Sequence, residues 1–135
     1  MEPVTLVDAN ILIDLFTDDP AWAEWSESHL IQQARVGPVG INPVIYAEAS
    51  IAYRAEVSFK AALEPLSLTQ WELPFAAGFL AGKAFLEYRR SGGERRSPLP
   101  DFYIGAHAMT NNLIVLTRDP QRYRRYFPAV PLICP

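Results

Sequence analysis

"VTLVDAN", Val4 to Asn10, runs from a short apolar and β-branched stretch into an acid and then into helix-forming residues. An apolar run without polar alternation fits a strand buried on both faces, the habit of strands in parallel sheets. Helical spacing begins at Asn10 and continues to Thr17, so the segment reads as the first half of a βα unit.

The same alternation continues along the chain. Asp19-Pro20 supplies a cap and a first-turn proline for a helix over 21 to 35. "GPVGIN" reads as a second strand, and Pro43 starts a helix that runs to about Glu56. A further helix covers about 58 to 65, and "TQWEL" is a brief third strand. From Pro74 to Arg90, Phe75, Phe79 and Leu86 recur at helical spacing, with Gly78 and Gly82 permitting close approach of a neighbour. "RRSGGERRSPLP" is the clearest loop. A helix from Asp101 to Asn111, a strand at "LIVL", a short helix from Gln121 to Tyr126 and a strand at "VPLIC" complete the chain. No internal repeat is visible. Short strands alternating with helices predict an α/β sandwich with a parallel sheet covered on both faces.

A length of 135 residues suits one domain, 1–135, and a 50% hydrophobic composition supports a buried core. No apolar run approaches a membrane span, and the N-terminus lacks the basic-then-apolar layout of an export signal, so the expected location is cytoplasmic. Cys134 has no cysteine partner in the chain and is expected to pack incidentally. Charge is uneven. Residues 1–88 carry twelve acids and four bases, whereas 89–135 carry three acids and eight arginines. One surface should therefore repel anions while another, around 89–96 and 118–125, can hold a phosphate backbone or simply be solvated.

Four acids stand out against this frame. Ligands of open parallel sheets bind beyond the carboxyl ends of the strands. Asp8 follows the first strand directly, and Asp119 lies just past "IVLT", so both belong to one rim. Asp101 opens a helix, where negative charge is favoured. Glu48 falls between Val44 and Ile51 on the stripe expected to face the core, where an unpaired charge is costly. Taken singly, each acid could cap a helix or pair with a base. Taken together, four carboxylates at one rim repel by about 4 kcal/mol per close pair at an effective dielectric near 20, so a cation is required among them. Hard oxygen donors without histidine or cysteine select Mg²⁺ or Mn²⁺.

The ordered set "VDAN", "AE", "PDFYIGAHA" and "LTRD" resembles the four acidic motifs of PIN-domain ribonucleases, particularly the VapC-type toxins of toxin-antitoxin systems. The resemblance spans nearly the whole chain. It implies a three-layer α/β sandwich whose five-stranded parallel sheet has the order 3-2-1-4-5. It also implies a Mg²⁺- or Mn²⁺-dependent endoribonuclease leaving 5′-phosphate and 3′-hydroxyl ends, a small cognate antitoxin and a homodimer. Carried over by motif, Asp8, Glu48, Asp101 and Asp119 are the metal-binding and catalytic acids, with Asn10 and Thr117 as supporting polar residues. Arg95, Arg96 and Arg118 are the expected RNA contacts, and Tyr103, Tyr123 and Tyr126 are either stacking partners for bases or packing residues.

The remaining candidates read more plainly. Asp14, Asp18 and Asp19 are expected to form a solvated helix end and cap, and His107 to be a core or surface residue. Trp22 and Trp25, one turn apart, suit an antitoxin groove, a dimer seam or the core. A haloacid dehalogenase-type phosphatase would need an acid where Asn10 stands, and a receiver domain would need a lysine after a late strand, so both are disfavoured. The competing reading is a non-catalytic PIN-like module that binds RNA or protein.

Overall fold

The strand β1 (Thr5–Val7) is buried along its whole length and lies at the centre of a five-stranded sheet. It pairs in parallel with β2 (Val39–Ile41) on one side and β4 (Ile114–Leu116) on the other. β3 (Thr69–Gln70) extends the sheet beyond β2, and β5 (Leu132–Ile133) beyond β4. All pairings are parallel, in the order β3-β2-β1-β4-β5, as expected. The chain moves outward through β2 and β3 and then returns to β4 on the opposite side of β1. The point at which the order reverses is therefore the crevice between the carboxyl ends of β1 and β4. The computed structural model describes residues 2–94 and 99–135, and Arg95 and Arg96 lie outside them.

Seven α-helices connect these strands among the described residues: α1 (Ala9–Phe16), α2 (Ala23–Val36), α3 (Pro43–Ser50), α4 (Glu56–Leu63), α5 (Phe75–Arg90), α6 (Pro100–Asn111) and α7 (Gln121–Tyr126). α1 packs on α2 and α3, α5 and α7 pack on α6, and α3 reaches across to α6. Leu6, Val7, Ile41, Val115 and Leu116 of the sheet are buried together with Ile11, Leu12, Phe59, Phe102 and Ile104 of the helices. No described helix is long and apolar enough to cross a membrane.

Two helices differ from expectation. α3 ends at Ser50 rather than near Glu56, and Ile51 is 82% exposed. The core face of α3 is consequently Ile45 and Ala49, and Glu48 sits beside that face, half-buried, rather than at the centre of a Val44–Ile51 stripe. In α5 the buried face is Ala77, Ala81 and Ala84, while Phe75 and Phe79 are exposed. A ridge of alanines lets α5 lie close against α6, a packing choice that counting large apolar residues does not detect.

The sheet itself is tightly set at Gly40. A Cβ there would lie 2.5 Å from the Thr69 carbonyl oxygen and 2.6 Å from the Trp71 ring. Gly40→Ala is expected to push β3 off β2 and to lower stability by about 1–3 kcal/mol, read as a lower urea midpoint with an unchanged slope. A midpoint equal to that of the parent chain would contradict this close approach.

Candidate active site

Asp8 is the N-cap of α1 and only 4% exposed. One carboxylate oxygen, Oδ1, accepts the Ala9 N–H at 2.7 Å. The other, Oδ2, accepts the Thr117 hydroxyl at 2.8 Å and the Tyr123 hydroxyl at 2.7 Å. A carboxylate has about four lone-pair sites, so three are occupied and one is left on Oδ1 for a further partner.

Glu48 reaches the same crevice from α3, and Asp101 reaches it from the first turn of α6. Their influence on one another shows in their proton affinities. Burial, then the charge of Asp101, raises the Asp8 pKa to about 6, against the lowering effect of its hydrogen bonds. Burial, then Asp8 and Asp101, raises Glu48 to about 7. Asp101 is raised by burial and by Asp119, and lowered by Arg122, whose Nη1 lies 3.4 Å from Oδ2. Asp119 is exposed and affects Asp101 rather than Asp8, so it stands at the outer rim of the group.

A hydrogen-bonded loop fixes that rim. Asn10 donates from Nδ2 to Thr117 Oγ1 at 3.2 Å and accepts the Arg118 N–H through Oδ1 at 3.1 Å. The Asp119 N–H donates to Thr117 Oγ1 at 3.1 Å. Asn10 and Thr117 therefore hold the end of β4 against the start of α1. Arg118 does not project freely toward solvent. Its Nε and Nη2 donate to Asp14 Oδ2 and Oδ1, both at 2.8 Å, and its guanidinium lies 5.5 Å from the Trp22 ring. Asp14 is 1% exposed and also accepts the Ser26 hydroxyl at 2.8 Å. It is thus a buried strut between α1, α2 and the β4 loop, not part of a solvated helix end. Asp19 does cap, accepting the Ala21 and Trp22 N–H groups.

Tyr123 is fully buried and cannot stack on a base. Burial and the surrounding carboxylates push its pKa well above the ordinary value, which keeps the phenol protonated as a donor to Asp8. Its spacing from Phe127, also buried, is the only sequence mark of that inward face. His107 is likewise internal. Asn42 donates from Nδ2 to His107 Nδ1 at 3.0 Å while its Oδ1 caps α3 at the Ile45 N–H. Burial lowers the His107 pKa, so the neutral ring ties the helix bearing Glu48 to the helix bearing Asp101.

The donor set is all oxygen, which suits Mg²⁺ or Mn²⁺ rather than zinc. Among the described residues no three acids, histidines or cysteines close into a ready ligand shell. That openness is compatible with Mg²⁺, which keeps several waters and commonly takes only one or two carboxylates.

The raised acids determine how the metal-free protein responds to pH. In the unfolded chain Asp8 and Glu48 ionise near 3.8 and 4.5, but in the folded chain near 6 and 7. Between about pH 4 and pH 7 the folded state binds more protons, so these two groups lower stability as pH rises through that window. In EDTA, Glu48→Gln is expected to raise the Tm by roughly 3–5 °C at pH 8 and to leave it unchanged at pH 4, about 1 kcal/mol after allowing for solvent screening. A variant no more stable than the parent at pH 8 would show that Glu48 is not charge-strained.

The sequence pattern of the PIN domain matches residues 5–128. No curated protein matches the sequence. Among solved structures, VapBC2 of Rickettsia felis bound to a promoter DNA fragment is similar, with a TM-score of 0.74 and 17% identity over 97% of this chain and 98% of that one. VapBC-1 of nontypeable Haemophilus influenzae gives 0.71 and 16% over 97% of each chain. DNA-bound VapBC of Salmonella typhimurium gives 0.68 and 20% over 99% of this chain and 98% of that one. At these identities the structures establish a shared fold. The match that extends from the first strand past α7 is the stronger statement, and by it the chain belongs to the PIN-domain family.

Proposed function

We propose that the chain is a metal-dependent endoribonuclease and the toxin of a VapC-type toxin-antitoxin pair. The observation that carries this reading is the convergence of Asp8, Glu48 and Asp101, from three separate segments, on the switch point of a parallel sheet, where Glu48 feels the charge of Asp8 and Asp101, and Asp8 that of Asp101. Family membership and the VapBC folds support it. Asp8, Glu48 and Asp101 would hold Mg²⁺ or Mn²⁺, with Asp119 as a fourth, outer acid. When bound, such an ion supplies Lewis acidity toward a phosphate oxygen and makes water easier to deprotonate.

The protein's own groups do the rest. Thr117 and Tyr123 fix Oδ2 of Asp8, so the free lone pair of Oδ1 keeps one direction. Asn10, with the Asp14–Arg118 pair behind it, positions the loop bearing Thr117 and Asp119. In this reading Arg118 positions the loop, and Arg95 and Arg96 are the proposed RNA contacts. A cognate antitoxin and a second copy of the chain are the proposed protein partners.

Purified free of any antitoxin, the protein is expected to cleave RNA with Mg²⁺ or Mn²⁺ and not in EDTA. Asp8→Asn and Asp101→Asn should reduce cleavage at least about 100-fold, and Tyr123→Phe about 10–100-fold, the range for loss of a group that orients a ligand. Folding is checked by circular dichroism. Cleavage in EDTA, or full activity in both asparagine variants, would refute the reading.

The open arrangement of the acids favours one other reading, a PIN module that binds without cutting. A melting experiment separates the two. Mg²⁺ at about 100 times its dissociation constant should add about 2.7 kcal/mol to the folded state, and Asp8→Asn should abolish that shift. Absence of any shift at millimolar Mg²⁺ or Mn²⁺ would favour the non-catalytic module.

A further inference from the structure

Arg125 lies at the meeting point of three open grooves. One, of about 410 Å³, starts at Asp119 on the rim of the acid group and passes Arg122. The second, about 320 Å³, leads to Lys83 and Glu87 on α5. The third, about 410 Å³, follows Tyr88 to Gly93 and Glu94. Arg125 and Tyr126 border all three.

The arginines of this region are not equivalent. Arg118 is held by Asp14, Arg122 reaches Asp101 at 3.4 Å, and Arg124 Nη2 lies 3.3 Å from Cys134 Sγ. Arg125 is exposed and has no carboxylate partner among the described residues. Its guanidinium lies 5.4 Å from the Tyr126 ring centre, a cation–π contact that orients the side chain without using its N–H donors. Tyr126 is itself fixed edge-to-face against Phe102 and Tyr88. A pre-oriented guanidinium with open donors is suited to a bidentate phosphate contact.

We propose that Arg125, seated on Tyr126, grips a backbone phosphate of the RNA strand to one side of the acid pocket, and that the strand leaves the pocket along the groove from Asp119 past Arg122. Naming the strand as RNA rests on the nuclease reading above; the site itself rests on the grooves and on a guanidinium with no carboxylate partner among the described residues. The groove gives the protein a sequence-independent hold on single-stranded RNA through phosphate rather than base edges.

Fluorescence anisotropy of a labelled single-stranded RNA, measured in EDTA so that no metal-dependent cleavage occurs, tests the site. Arg125→Gln is expected to weaken binding about 5–10-fold and to reduce the slope of log K against log salt by about 0.7, the release of one phosphate contact on a single strand. Arg35→Gln, on an exposed residue at the end of α2, should match the parent chain. Cleavage is then followed separately with Mg²⁺, where Arg125→Gln should raise KM and spare kcat. An unchanged affinity and slope for Arg125→Gln, the result expected if the groove takes an acidic protein segment instead, would overturn the proposal. So would parent protein that does not bind RNA in EDTA, even if it cleaves with Mg²⁺. Arg125-dependent binding without any cleavage would support the groove and refute the nuclease reading.

Discussion

Repulsion between carboxylates at the carboxyl ends of β1 and β4 is the constraint around which this fold is arranged. Asp8 is almost wholly buried, and its neighbours include Asp101 and Glu48 rather than a lysine or arginine. Buried acids without a cation partner are held only when the surrounding structure over-determines them. Here that determination comes from Thr117, Tyr123 and the Ala9 amide, three donors from separate places in the chain acting on one carboxylate. Parallel topology makes the arrangement possible, because it puts a strand end, two helix starts and the last turn of a third helix around one crevice.

The framework behind the crevice is polar and satisfied except at His107 Nε2, which is buried without a partner among the described residues. Asn10 joins α1 to the end of β4, the Asp14–Arg118 pair joins α1 to the same loop and to α2 through Ser26, and the Asn42–His107 bond joins α3 to α6. Apart from the Ser26 contact on α2, each link crosses between elements that carry a site acid or Thr117. Buried networks of this kind are high-stakes because a half-satisfied one costs more than an apolar core. Their effect is to set the spacing of the acids, the preorganisation that the proposed metal-dependent reading requires.

Much of this was legible in the sequence, and the rest was hidden for physical reasons. The central strands follow from apolar runs such as "VTLV" and "LIVL", because double burial leaves a clear pattern, whereas the exposed β3 lacks that pattern and the order of the sheet was legible only through the family resemblance. Asp8 and Asp101 were visible because each sits at an element boundary with its cap or proline beside it. Glu48 was visible only as a glutamate on a helix, and its exact face was misjudged because α3 ends at Ser50. The roles of Asp14, Tyr123 and His107 were not legible. Each depends on a partner about 65 to 115 residues away, and no local spacing encodes such a contact. The exposed phenylalanines of α5 were hidden in the opposite sense, since periodicity identifies a face without saying that alanines will be the ones buried.

The central claim is that three acids from distant segments share one electrostatic environment which a divalent ion relieves. Carbon-detected NMR titration of the side-chain carboxyls of Asp8, Glu48 and Asp101, with and without Mg²⁺, reads that environment directly. The account predicts midpoints near 6 for Asp8 and near 7 for Glu48 in the metal-free protein, and a fall of both toward or below ordinary carboxylate values when Mg²⁺ is added. Independent titrations near 3.8 and 4.5 that ignore Mg²⁺ would contradict it.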